Sequence, residues 1–296
     1  MPGMFCRHNR LTSKCPICSR ELQEELRSKT PVRHVTPRKP GASSTPRARS
    51  SSGRSSGVVT RKLARAADDG YRNPLVPGLR ATADAERLAI ALTDAAARLE
   101  PPGPYAVIAD EPDVEQATWM AFLFALAPDL QDVLAEANPP WADADVSALP
   151  EAKAKTAASY RAWVERAGSQ EAAFTGEASW SPERRFGRVF ERLALPGFNR
   201  AARYGVLTGL GAAGRYPLEA DAVHFVEDDN TTLAAKRALV SGDRMLLERR
   251  ARDLAEAAGL PIAALDRGLA VWGTPGEHVD LTAEPASGVA AALGLH

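Results

Sequence analysis

Residues 193–204 read Leu193-Ala-Leu-Pro-Gly-Phe-Asn-Arg-Ala-Ala-Arg-Tyr204. The stretch leading into them opens at Ser181-Pro182, an N-cap residue followed by proline at the first helical position. It then repeats Phe186, Val189, Phe190 and Leu193 on one helical face. Pro196-Gly197 makes a tight turn, in which Gly197 can take backbone angles closed to other residues. A second helix begins near Asn199. Free amide N–H groups at its start point outward and suit a phosphate. Pro196, Gly197, Phe198, Asn199, Arg200 and Arg203 are therefore expected at a nucleic-acid backbone, the two arginines adding charge. The plainer alternative is an αα-hairpin with no ligand, since such turns are common between helices.

Outward from this hairpin the body also reads as helices. Leu88, Leu92, Ala95 and Leu99 share a face within 83–99. Asp113-Val-Glu-Gln116 has the form of a capping box before an apolar helix through Trp119, Phe122, Leu123 and Leu126. Residues 151–167 place Tyr160, Trp163 and Val164 inward. Asp243 begins a helix that Gly259 ends. Pro261 begins another, with Ile262, Leu265, Leu269 and Trp272 on one face and Gly273 after it. Tyr105-Ala-Val-Ile108 is too short to build a sheet. The expected fold class is mostly α.

Of the 296 residues, 37 are Lys or Arg and 37 Asp or Glu. The balance hides an asymmetry. Residues 1–66 carry 15 basic and 3 acidic side chains, and the remainder 22 and 34. That pattern excludes a uniformly basic nucleic-acid-coating protein but not a basic arm on an acidic body. The longest apolar run, 119–127, is nine residues, far short of the roughly 20 of a membrane span. The N-terminus has no apolar signal-peptide core.

All three cysteines lie in the pattern Cys6-x-His8-x6-Cys15-x2-Cys18. Three thiolates and an imidazole form a closed tetrahedral shell suited to structural zinc, and a segment this short would take its folding energy from the metal. The alternative is a set of reduced thiols beside a chance histidine. Residues 28–57 hold no aromatic residue and many arginines, a composition expected to stay disordered. Such an arm either gains phosphate affinity by counterion release or serves as a solvated tether. The expected organisation is a zinc knuckle at 1–20, a basic linker at 21–57, a helical domain at 58–280 and a tail at 281–296.

The L-P-G-x-x-R hairpin resembles that of the endonuclease III family of helix-hairpin-helix DNA glycosylases, with Asn199 in place of the usual second glycine. In that family a catalytic aspartate caps a helix downstream of the hairpin. Glu227-Asp-Asp-Asn-Thr-Thr-Leu-Ala-Ala-Lys-Arg-Ala-Leu239 is similar to that stretch. The resemblance implies Asp229 or Asp228 as the catalytic acid, with Asp221 a further candidate. It also implies Lys236 and Arg237 near DNA. The segments PERRFGRVFERLALPGFNRAARYGVL, DDNTTLAAKRAL, GDRMLLERRARDLAEAAGLP and ALDRGLAVWG, with the N-terminal FCRHNR and CPIC, resemble the alpha-glutamyl/putrescinyl-thymine pyrophosphorylase family, clade 3. This implies a helix-hairpin-helix glycosylase-like body acting on a flipped, modified pyrimidine in double-stranded DNA. The implied protein is a bacterial, cytoplasmic, nucleoid-associated monomer. Two other outcomes stay open: amine transfer that makes a hypermodified thymine, and a DNA-binding adaptor without chemistry.

Overall fold

Short polar side chains set many of the helix ends in this chain. Asp113, Ser169, Ser181, Asn199, Asp229 and Asp243 each accept a hydrogen bond from an amide in the first turn that follows, satisfying one of the orphan donors of a helix start. Gly168, Gly176 and Gly259 close helices at positive φ. The structure is a computed structural model that describes residues 66–100, 105–143, 146, 149–227, 229–274 and 283–295. All of these belong to one unit, Val59–His296. Cys6, His8, Cys15, Cys18, the basic linker and Asp228 lie outside the described residues.

Among the described residues there are twelve α-helices and no strand. They are α1 Thr82–Ala97, α2 Ala106–Asp110, α3 Val114–Leu126, α4 Gln131–Ala137, α5 Glu151–Ala167, α6 Gln170–Thr175, α7 Pro182–Arg192, α8 Arg200–Ala212, α9 Asn230–Leu239, α10 Arg244–Ala258, α11 Ile262–Gly273 and α12 Ser287–Ala292. None is long and apolar enough to cross a membrane.

Two hydrophobic clusters hold the helices. The first joins α3, α5, α6, α7 and α8 around Trp119, Phe122, Tyr160, Phe174, Phe186 and Leu207. Its centre is aromatic: the Phe122 and Tyr160 rings stack with centroids 3.9 Å apart. The second joins α1, α9, α10, α11 and α12 around Leu88, Leu92, Leu254, Leu265, Leu269 and Trp272. Helix α1, first of the described helices, thus packs with the C-terminal helices, chiefly against α11. Gly268 permits that crossing, because a Cβ there would stand 2.7 Å from Leu92 Cδ2 and 3.1 Å from Leu92 Cα.

Three local expectations need correction. Gln116 does not complete a capping box; its side chain bonds Asn138 Oδ1, Pro139 O and the Trp141 amide, while the Asp113 amide donates to Glu111. Gly273 is the last residue of α11 rather than a cap beyond it. Residues 283–295 are not a loose tail: α12 packs on α10 and α1, and Val289 and Leu293 are fully buried. The run at 105–108 enters the short helix α2.

Candidate nucleic-acid interface

The hairpin between α7 and α8 is pinned from beneath. The Phe198 amide donates to Leu195 O at 3.0 Å, closing the turn. Gly197 sits at φ +76°. The Thr156 hydroxyl of α5 donates to the Pro196 carbonyl at 3.0 Å. A Cβ on residue 197 would lie 2.3 Å from Thr156 Oγ1, so a larger residue strains the turn and pushes it off α5. Phe198, expected beside a ligand, is 3% exposed, with its ring 4.9 Å from Phe122. It anchors the hairpin in the first cluster, because an aromatic ring at a helix joint gains more from burial than from solvent. Pro196, Gly197 and Asn199 are exposed. Asn199 caps α8, its Oδ1 accepting from the Ala202 amide at 2.9 Å. The Arg200 and Ala201 amides have no partner among the described residues, leaving them available to an anion.

The Arg200 side chain does not face outward as expected. Its side chain is 1% exposed, and each of its three nitrogens donates inside the protein. Nε donates to Asp229 Oδ2 at 2.9 Å, Nη1 to Val223 O at 2.9 Å and Nη2 to Thr231 Oγ1 at 3.0 Å. Nη2 also pairs with Asp266 Oδ1 of α11. The Tyr204 ring lies 5.4 Å beneath the guanidinium. Burial alone would lower the guanidinium pKa, but Asp266 and Asp229 raise it overall. Burial pushes the Asp266 carboxyl above its ordinary value, opposed by Arg200 and Thr231. One cation thus serves two carboxylates that are only 12% and 14% exposed, joining α8 of one cluster to α9 and α11 of the other.

Asp229 is consequently both a helix cap and an ion-pair partner. Its Oδ1 accepts from the Thr232 amide at 3.1 Å and its Oδ2 from Arg200. Asp221 is exposed, with Oδ1 3.9 Å from His224 Nε2. Arg237 places its guanidinium 3.9 Å over the Trp272 ring, so its position is set by the second cluster, not by the hairpin. Lys236 lies seven residues along α9 from Asp229, about 10 Å down the helix axis.

Beside the hairpin helix runs a groove of about 920 Å³. Arg203, one turn into α8, lies across the Phe190 ring at 4.5 Å and donates to Phe190 O at 3.3 Å. Three more arginines, Arg244, Arg249 and Arg252 of α10, complete its cationic side. Ala222, His224, Phe225 and Val226 of the loop 222–226 also line the groove. Glu248 of α10 accepts the Val223 amide at 3.0 Å and the Phe225 amide at 2.7 Å. This clamp holds the intervening His224 at φ +57°, a conformation that non-glycine residues occupy only when their surroundings enforce it. The sequence reading missed His224, Glu248, Thr231 and Asp266. Its available signal was the basic run in α10, Arg244-Met-Leu-Leu-Glu-Arg-Arg-Ala-Arg252.

The His224 ring stacks on Phe190 at 4.4 Å. Burial lowers its pKa and Arg200 adds to this, against the opposing pull of Glu248, Asp221 and Glu191. The fold therefore binds this proton less readily than the unfolded chain, whose imidazole titrates near 6.5. Its stabilising contribution is present above about pH 6.5 and is lost as pH falls through the lowered value. Urea unfolding of wild type and His224→Asn between pH 7.5 and 5 should show the wild type losing stability relative to the variant on acidification. Asparagine tolerates the left-handed backbone. A difference between the two proteins that stays constant with pH would remove His224 as the titrating group.

Among the described residues no cluster of His, Cys, Asp and Glu is arranged to hold a metal. Comparison of the chain with protein-family models, with curated proteins and with solved structures gives no significant match.

Proposed function

We propose that this protein is a helix-hairpin-helix, glycosylase-like enzyme that binds double-stranded DNA and releases a flipped, modified pyrimidine. The observation that carries this reading is the Nε–Oδ2 bond of 2.9 Å between Arg200 and Asp229. It brings the acid-led helix α9 to the first residue of the hairpin helix, 29 positions earlier in sequence. Support also comes from the free amides at the start of α8 and from the four arginines of the adjoining groove. In this mechanism the amides hold a DNA phosphate, and base flipping delivers the sugar to the acid. The N-glycosidic bond breaks with its electron pair leaving on the base. A carboxylate stabilises the positive charge that grows on the sugar, water adds at the same carbon, and the proton it gives up neutralises the departing base. Asp229 is the first candidate for that carboxylate, with Asp228, which lies outside the described residues, and Asp221 as the others. A zinc knuckle at Cys6, His8, Cys15 and Cys18 and the basic arm would add contacts to DNA without entering the chemistry.

One observation favours a non-catalytic alternative. Both Asp229 oxygens already have protein partners, which suits an adaptor that retains the fold alone. The deciding experiment is mass spectrometry of products after incubation with duplexes carrying assorted modified pyrimidines. Free base with an abasic strand is the expected result. Amine incorporation without base release would assign the protein to thymine modification, and intact DNA after tight binding would assign it to the adaptor class.

A further inference from the structure

His224 lines the groove with a ring held by aromatic neighbours. Phe190 and Phe186 stack with it at 4.4 and 6.0 Å, and Tyr204 stands edge-on at 6.4 Å. Neither ring nitrogen makes a hydrogen bond among the described residues. Nε2 is buried and lies 3.9 Å from Asp221 Oδ1. Nδ1 is not sealed in this way and stays accessible from the groove. A histidine kept for packing alone normally spends its nitrogens on partners, because a buried polar atom without one costs stability. The backbone at φ +57°, enforced by the Glu248 clamp, is strain of the kind that persists where a side chain must be aimed.

The charged groups facing the ring are Asp221 of its own loop, Glu191 of α7, Arg200 of α8 and Glu248 of α10. Glu191 is paired with Arg188, and Glu248 is spent on the Val223 and Phe225 amides. Asp221 is the carboxylate left for the imidazole, and Arg252 holds its backbone carbonyl at 3.0 Å. An acid behind Nε2 favours the tautomer with its proton there, which leaves the Nδ1 lone pair open to the groove. The Asp221 side chain is exposed and can close the 3.9 Å gap by turning, as catalytic pairs commonly tighten once substrate is bound. Burial keeps the ring neutral at physiological pH, and so able to take a proton.

Release of a base by water needs such an acceptor. Both Asp229 oxygens are engaged, one of them by the Arg200 cation, which suits charge stabilisation better than proton uptake. Resting on the base-release reading above, we propose that His224, backed by Asp221, takes the proton of the attacking water and passes it to the departing base. The water oxygen bonds to the sugar carbon as the N-glycosidic electron pair leaves on the base. The water O–H bond breaks, its proton moves to Nδ1, and Asp221 balances the imidazolium through Nε2–H. Transfer of that proton from Nδ1 to the base anion restores the neutral ring.

Single-turnover release from duplexes carrying 5-hydroxymethyluracil, 5-hydroxymethylcytosine or 5-formyluracil tests this with the full chain, followed between pH 5 and 8. Wild type is expected to release base, at a rate that falls on acidification as the imidazole protonates. His224→Asn, which tolerates the left-handed backbone, should still bind DNA. Its rate at neutral pH should drop on the order of 10²-fold, with the acid limb lost. Added imidazole should restore part of the rate in His224→Gly. Asp221→Asn should shift the acid limb to lower pH, because Asp221 holds the imidazole pKa up. Undiminished release by His224→Asn with an unaltered pH profile overturns the proposal and leaves base release standing. So does a slow His224→Gly, folded by circular dichroism, that imidazole fails to rescue. Should the variants at 224 not fold, an unmoved acid limb in Asp221→Asn overturns it. No release by wild type from any of the duplexes overturns both readings.

Discussion

Replacing Arg200 by alanine should destabilise the protein by about 3–5 kcal/mol, the cost of leaving buried charge without its partner. The guanidinium is 1% exposed and is the cation shared by Asp229 and Asp266. Without it, two carboxylates face each other across a site with little access to water. Thr231 and the Val223 carbonyl lose a donor at the same time. Because the four acceptors come from the 223 loop, α9 and α11, the loss loosens the junction of the two hydrophobic clusters. Arg200→Lys should recover little, since a single ammonium cannot reproduce a planar fork that spans several acceptors. Adding Asp266→Asn to Arg200→Ala should restore part of the loss by removing one uncompensated charge. Urea unfolding of the three variants measures this. A loss below about 1 kcal/mol for Arg200→Ala would place the pair in the range of exposed surface salt bridges, against the buried geometry.

The second large effect concerns chemistry. If the glycosylase reading holds, Asp229→Asn should lower base release by on the order of 10²–10³-fold or more, the usual scale for removing one preorganised electrostatic group. DNA affinity and the fold should persist. Asparagine is as good a helix cap as aspartate, and Arg200 keeps Asp266, Thr231 and the Val223 carbonyl. Single-turnover release of the modified base, with circular dichroism as the control, separates charge from shape. Unchanged release would make Asp229 purely structural and move the assignment to Asp228 or Asp221. Borohydride treatment of the wild-type reaction should trap no covalent protein–DNA adduct. The position four residues after the hairpin glycine is Ala201, which has no amine to attack the sugar. A trapped adduct would instead implicate Lys236.

What was legible in the sequence was local. Ser181 before Pro182, Asn199 after the hairpin, Asp229, and Asp243 answered by Gly259 all mark helix ends through bonds that close within a few residues. Apolar spacing likewise exposed the inward faces of α1, α3, α5, α7 and α11, because a helix repeats its faces every three or four positions. The turn at Gly197 was readable for the same reason, its need for positive φ being a property of one residue.

The tertiary structure decided what distant segments do to those local features. Arg200 stands beside a phosphate-ready helix start, and nothing within ten residues of it marks it as buried. Its partners are Val223, Asp229, Thr231 and Asp266, between 23 and 66 positions away, and only the packing of α9 and α11 against α8 brings them to it. The docking of α1 and α12 with the C-terminal helices, the Glu248 clamp that bends His224 and the seating of Phe198 on Phe122 are decided in the same way. Hydrophobic periodicity tells which side of a helix turns inward. Which helix it meets there, and hence which charges end up paired, depends on shape complementarity between segments far apart in the chain.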